Sequence, residues 1–197
     1  MSTPNREPGR AERDLAALTV LALLTAGPRH PYDIHRFVVE TRKDFVRGVP
    51  RSIYHAVERL AKAHLIEPVG SEQEGGRPER TVYGLTEAGR SEARRRVSML
   101  LSAPLADRTE TVAALSYLGI LGRDAGIAAL RARLAATDAA IAALADDLEA
   151  AAGVPEILLI EGQFELDQLR AEREWFEQLV RRLESGELAW LPAHEGR

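Results

Sequence analysis

The sequence predicts a mainly α protein carrying one two-stranded β hairpin, and three observations predict it. Apolar residues recur every three or four positions through most of the chain, as one face of a helix requires. One stretch instead holds two short β-like runs, "LIEPVG" and "RTVYGL", on either side of the glycine- and proline-bearing "SEQEGGRPE". Aromatics are scarce at 5%, while alanine and leucine crowd the second half.

Residues 1–10 are polar, with Pro4, Pro8 and Gly9, and read as a flexible tail. From Ala11 to Ala26, Leu15, Leu18, Leu21 and Leu24 set a helical stripe that Val20 and Leu23 widen, almost too far for one buried face. Gly27 and Pro28 end it. Pro31 suits the first position of a second helix, whose N-terminal dipole Asp33 complements; Ile34, Phe37, Val38 and Thr41 face inward. Gly48 breaks the pattern, and "VPRSIYHAVERLAKAHLI" begins a third helix near Pro50. Ile53, Val57, Leu60 and Ala61 point inward there, and Arg51, Ser52, His55, Arg59 and Lys62 outward.

Two short helices on a tight connection, the second polar and basic outside, make a helix-turn-helix candidate. The hairpin loop that follows exceeds the minimal length, so its tip projects. Thr86 is a natural N-cap for a helix from Glu87 to Leu101. The order helix, helix, helix, strand, strand, helix is that of a winged helix-turn-helix with the hairpin as its wing.

The character changes after Pro104. Thr109 to Leu121 reads as helical, and Leu130, Leu134, Thr137, Ile141, Leu144 and Leu148 then step by four and three, a heptad seam. "AAGVP" interrupts, and Pro155 opens a last helix through Leu183, in which Leu166, Leu169, Phe176, Val180 and Leu183 repeat the stepping around Arg173. Such stripes need covering. A coiled-coil-like homodimer through Leu130, Leu134, Ile141, Leu144, Leu148, Leu169, Phe176, Val180 and Leu183 is the economical solution; an antiparallel pair within one chain is the alternative. The organisation expected is a tail (1–10), a winged helix-turn-helix DNA-binding domain (11–103), a C-terminal helical dimerisation and effector domain (104–191) and a tail (192–197).

The net charge of −4 hides an asymmetry: residues 1–100 hold 17 Lys+Arg and 13 Asp+Glu, residues 101–197 hold 9 and 17. A basic front half on an acidic back half fits nucleic-acid contact. Cysteine is absent, which excludes disulfides, thiolate nucleophiles and cysteine metal sites. The longest apolar stretch, Leu15 to Ala26, is about half of the roughly 20 residues a membrane span needs. Arg6, Arg10, Glu12, Arg13 and Asp14 are mixed in sign and unlike a signal peptide, so a cytoplasmic protein is expected, without membrane contact. His30 and His35, like His55 and His64, lack the i,i+4 spacing of a zinc-binding pair. No Gly-rich phosphate loop, nucleophile elbow or HExxH occurs. Neither catalysis, metal nor cofactor is expected.

A helix fits the major groove, where each base pair shows its own donor and acceptor pattern. Arg51 and His55 are assigned to base edges, Ser52 and Tyr54 to phosphates, and Arg59 and Lys62 to the backbone farther along. Glu58 pairs with Lys62 at i,i+4 or accepts from a cytosine amino group. On the wing, Gly75 and Gly76 let the backbone bend, Pro78 stiffens the return, and Arg77 is presented to a narrow minor groove. Tyr32 adds a phosphate contact. In the second half, Tyr117 and Trp175, with Phe176 and Trp190, are aromatic groups for an effector pocket; core or interface packing is the plainer alternative.

Four stretches in order, "LALLTAGPRHPYDI", "VPRSIYHAVERLAKAHLI", "GGRPERTVYGLTEAG" and "REWFEQLVRRLESGELAW", resemble the PadR family of bacterial transcriptional regulators. The resemblance implies a homodimer binding a pseudo-palindromic operator in double-stranded DNA, usually a repressor released by a small-molecule effector. It implies dimerisation through the C-terminal helices with help from the first. Arg51, His55, Pro31 and Glu79 depart from the family pattern, where glycine, proline, glycine and a basic residue are common, and so alter the reading surface. The rival is a winged helix used only to dock proteins.

Overall fold

The computed structural model describes residues 14–72, 80–105 and 107–190. Asp14 caps the first helix, α1 (Leu15–Leu24), by accepting from the Ala17 amide at 3.0 Å. α2 (Pro31–Glu40) begins on its proline, with His30 Nδ1 accepting from the Tyr32 amide. α3 (Arg51–Lys62), β1 (Ile66–Glu72), β2 (Arg80–Leu85) and α4 (Glu87–Leu101) follow in the order the sequence predicts.

The strands pair antiparallel from Ile66 opposite Leu85 to Glu72 opposite Arg80, and the register slips between Pro68 and Gly70, leaving Val69 as the extra residue of a bulge. Arg29, in the link from α1 to α2, exchanges both backbone hydrogen bonds with Tyr83 at 3.0 Å, so the hairpin is stitched to the helices on its β2 side. Thr86 caps α4 by accepting from the Gly89 amide, while its hydroxyl lies within donating distance of the carbonyls of His64 and Leu65. Gly89 has no alternative at this point. A β-carbon there would sit 1.9 Å from the Leu65 carbonyl oxygen.

The second half holds α5 (Arg108–Ser116), a 3₁₀ turn (Leu118–Leu121), α6 (Arg123–Ala150), a second 3₁₀ turn (Glu156–Leu158) and α7 (Ile160–Ser185). The expected helix over 109–121 is thus broken at Tyr117, and the last helix starts at Ile160 rather than Pro155. Proline opens only a single tight turn there, because three exposed residues with no apolar face toward a neighbour cannot propagate a helix.

Two hydrophobic clusters hold the molecule. Val20, Leu21, Leu24, Ile34, Ile53, Leu60 and Ile66 fill one; Leu18, Val97, Leu100, Leu130, Phe176 and Val180 fill the other. α1 and α4 contribute to both, which explains why α1 is apolar nearly all round: it has no solvent face to spare. Each fully enclosed leucine or phenylalanine contributes about 1.5–3 kcal/mol relative to exposure.

α6 and α7 lie antiparallel, clipped by ion pairs from Arg131 to Glu184 (2.7 Å), Arg133 to Glu172 (2.6 Å) and Asp138 to Arg173 (2.6 Å). This is the antiparallel pairing within one chain that the sequence offered as the alternative to a seam between copies. Leu130, Phe176, Val180 and Leu183 are buried within one chain, and Leu134, Ile141, Leu144, Leu148 and Leu169 are half-buried. Leu148 lies directly over Gly162 of α7. The stripes cover each other, because the nine-residue connection 151–159, which opens with "AAGVP", lets the chain fold straight back.

Candidate nucleic-acid interface

α3 is the most clearly two-faced helix of the molecule. Ile53, Ala56, Val57 and Leu60 are buried against the first cluster, and Arg51, Tyr54, His55, Glu58, Arg59 and Lys62 are exposed. Nothing caps its N-terminus through a side chain; Pro50, joined to Val49 by a cis peptide bond, precedes it. The Ser52 and Ile53 amides bond back to Gly48 and Pro50.

On the outer face three residues act as a unit. Arg51 Nε donates to His55 Nε2 at 3.1 Å, and His55 Nδ1 lies 3.4 Å from Glu58 Oε2. If Nε2 accepts, the imidazole proton sits on Nδ1, facing the carboxylate. Glu58 therefore orients His55, and His55 orients Arg51, one turn apart each. The pairing of Glu58 with Lys62 that the i,i+4 spacing suggested is replaced by this shorter link. Glu58 is positioned by the imidazole rather than by an ammonium.

Two further assignments change. Ser52 Oγ is enclosed and has no hydrogen-bond partner, so its hydroxyl is turned inward and not toward the open face. Arg59 is ion-paired with Asp14, the residue that caps α1, so its guanidinium ties α3 to the start of α1. The sequence pattern could not show this, since Asp14 lies 45 positions away. Tyr54 and Lys62 stay on the exposed face. Arg77, with Gly75, Gly76, Pro78 and Glu79, lies outside the described residues.

Tyr32 stands at the start of α2, 45% exposed, and the Arg80 guanidinium lies 5.6 Å from its ring centroid. The root of the wing therefore leans on the start of α2, a contact that α-helical and β periodicities read separately could not reveal. Arg80 was the missed residue; its place as first residue of β2, one strand-end from the wing tip, was the available signal.

The aromatic candidates for an effector pocket part company. Tyr117 is 5% exposed, donates to Thr19 Oγ1 at 2.9 Å and meets Phe45 edge-on, and burial pushes its phenol well above the ordinary range. Trp175 is half exposed on α7, its ring edge-on to Phe176. Trp190 packs over Gly126 near the start of α6. These are packing positions in the first and last cases.

Arg133 carries the second half. It is fully buried, donates to Glu172 through Nε and Nη2, to Thr111 Oγ1 and to the carbonyls of Leu100 and Ala103, and stacks 4.5 Å from the centre of Phe176. One side chain thus joins the end of α4 to α5, α6 and α7. Glu92 on α4 performs a local version: hydrogen bonds from Arg95 and Arg96 hold its carboxyl at about 2, against its ordinary 4.5. No helix of the described residues is long and apolar enough to cross a membrane.

Three helices, a stitched hairpin, a fourth helix and an exposed amphipathic α3 define a winged helix-turn-helix protein. Residues 20–95 match the model of the Transcriptional regulator PadR-like family. Among solved structures it is similar to Bacillus subtilis PadR in complex with operator DNA, at 18% identity and a TM-score of 0.41, covering 85% of this chain and 98% of that one. It is also similar to smu.1604c from Streptococcus mutans UA159, at 20% identity and a TM-score of 0.38, covering 84% and 98%. No curated protein matches.

Proposed function

We propose that the protein is a homodimeric, sequence-specific DNA-binding regulator of transcription, a repressor relieved by a small-molecule effector, acting in the cytoplasm without catalysis. The observation that carries the reading is the outer face of α3. It presents Arg51, Tyr54, His55 and Lys62 to solvent on a helix whose other face is locked into the core, beside a hairpin braced on Tyr32. A rigid helix with pre-oriented donors suits base edges in a major groove. The PadR-like match over residues 20–95 supports the same reading.

In this reading Arg51, held by His55, reads a base edge, and Tyr54, Tyr32 and Lys62 meet phosphates. Arg77 enters the minor groove from the wing. Ser52 contributes through its place in the first turn, not its hydroxyl. Residues 11–103 form the DNA-binding part and 104–191 the dimerising part. Because the α6 and α7 stripes are spent on each other, the second copy is assigned to the apolar surface left open at their turn and along α7: Val154, Ile157, Leu158, Ile160, Phe164 and Trp175. A dimer bound to an operator sets its two α3 helices roughly 34–36 Å apart, and an effector acts by favouring another spacing.

Selection from a random duplex library, followed by fluorescence anisotropy on the enriched site, tests this. Arg51→Ala and Arg77→Ala should each weaken binding by about 1–3 kcal/mol, and log affinity should fall with log salt by roughly 0.9 per neutralised phosphate. A library that yields no enriched motif would favour the protein-docking alternative.

A further inference from the structure

A second cationic site lies away from the outer face of α3. The loop from α2 to α3 and the start of α5 border an open pocket of about 520 Å³, inside the roughly 300–1,000 Å³ range of small-ligand pockets. Arg42, Lys43, Arg47 and Arg108 line it, with Asp44 as the one acid among its lining residues. Phe45 and Val112 give it an apolar portion, and Thr109 and Ser116 add hydroxyls.

These cations are not neutralised by the protein. Among the described residues, Arg42, Arg47 and Arg108 make no ion pair and no side-chain hydrogen bond, whereas Arg59, Arg96, Arg131, Arg133, Arg173 and Arg182 are all paired with carboxylates. Lys43 donates to Ser116 Oγ, and its ammonium lies 5.1 Å from the ring centre of Tyr117, 5.8 Å from Phe45 and 5.9 Å from Phe37. That cage fixes the ammonium in the cavity wall, and partial burial lowers its pKa. Arg42 is held at φ 49°, a left-handed conformation rare for a side chain of its size. The amide of Thr109, at the start of α5, is taken by the Asp107 carboxylate, so the case rests on the side chains and not on the helix end.

We infer that this cavity binds a small organic anion carrying two or more carboxylate or phosphate groups, held by Arg42, Arg47 and Arg108 around the fixed ammonium of Lys43. Four cations line the pocket against one carboxylate among its lining residues, so it favours an anionic occupant; bidentate guanidinium contacts suit oxyanion groups. The occupant would join the loop leading directly into α3 to α5, and so restrain the entry of α3. That consequence rests on the DNA-binding reading above, whereas the binding itself does not.

The test is calorimetric titration of the full chain, free of DNA, with citrate and with pyrophosphate, using acetate as the singly charged control. Saturable binding of citrate or pyrophosphate at one site per chain is expected, weakened about tenfold or more in the double variant Arg42→Gln, Arg108→Gln. Arg47→Gln alone, at an exposed position, repeats the test with a several-fold loss should the double variant not fold. Absence of saturable binding by both probes overturns the inference, as does equal affinity in wild type and variants. Weaker DNA binding by the variants without any anion binding assigns the cations to the DNA backbone and also overturns it. A protein that binds citrate or pyrophosphate but no duplex keeps this site and loses the regulator reading; the reverse result loses only this site.

Discussion

Replacing Arg133 with methionine removes the charge, keeps much of the aliphatic volume, and strands every group that the guanidinium serves. The Leu100 and Ala103 carbonyls at the end of α4 and the Thr111 hydroxyl on α5 lose their donor, and Glu172 loses two bonds of 2.6 and 3.1 Å. Breaking a buried pair from one side costs about 3–5 kcal/mol. Glu172 is 34% exposed in its side chain and recovers part of its hydration, and methionine keeps contact with Phe176, so about 3 kcal/mol is the expected loss. Glu172→Gln should cost about 1–2 kcal/mol, since its amide oxygen still accepts. The two changes should couple by about 1–2 kcal/mol in a double-mutant cycle, as neighbours in one network do. Urea denaturation followed by circular dichroism and by the fluorescence of Trp175 and Trp190 measures all three. A loss below about 1 kcal/mol for Arg133→Met, or additive effects in the cycle, would refute the idea that this side chain joins α4 through α7.

Gly89→Ala should destabilise by about 1–3 kcal/mol, because its methyl must displace the Leu65 backbone; thermal melts would expose a neutral outcome. Ile157→Glu with Phe164→Glu, at positions 70% and 67% exposed, should leave the fold intact and shift sedimentation from dimer to monomer; an unchanged dimer would move the self-association surface elsewhere. Glu92, whose folded pKa is held near 2, contributes stability that is fully present above its ordinary 4.5 and is lost as pH falls toward 2. Glu92→Gln should therefore narrow the gap in melting temperature between pH 6 and pH 2.5, and an undiminished gap would assign the acid sensitivity to other carboxylates.

Much of the architecture could be read from local pattern. Gly27, Pro31, Gly48 and Thr86 mark boundaries that the structure keeps within a few residues, because caps and breakers act on their own backbone. The exposed set Arg51, Tyr54, His55 and Lys62 follows from the helical period alone. Ser52 and Arg59 were legible as positions but not as contacts. The first is the residue before the inward Ile53 and sinks with it, and the second is captured by Asp14 on another helix.

The sequence by itself determined most helix and strand boundaries, though not the break at Tyr117 or the start of α7 at Ile160, which face of each is apolar, and that two long apolar stripes in the second half must be covered. What covers them was decided only in three dimensions: α6 and α7 fold back on each other, and exposed apolar residues remain at the turn between them. Arg133, too, sits among leucine steps like any solvated arginine until α4, α5 and α7 close around it. Periodicity records that a face avoids water, not which surface excludes it, and a charge becomes structural only when distant backbone carbonyls and carboxylates arrive to satisfy it.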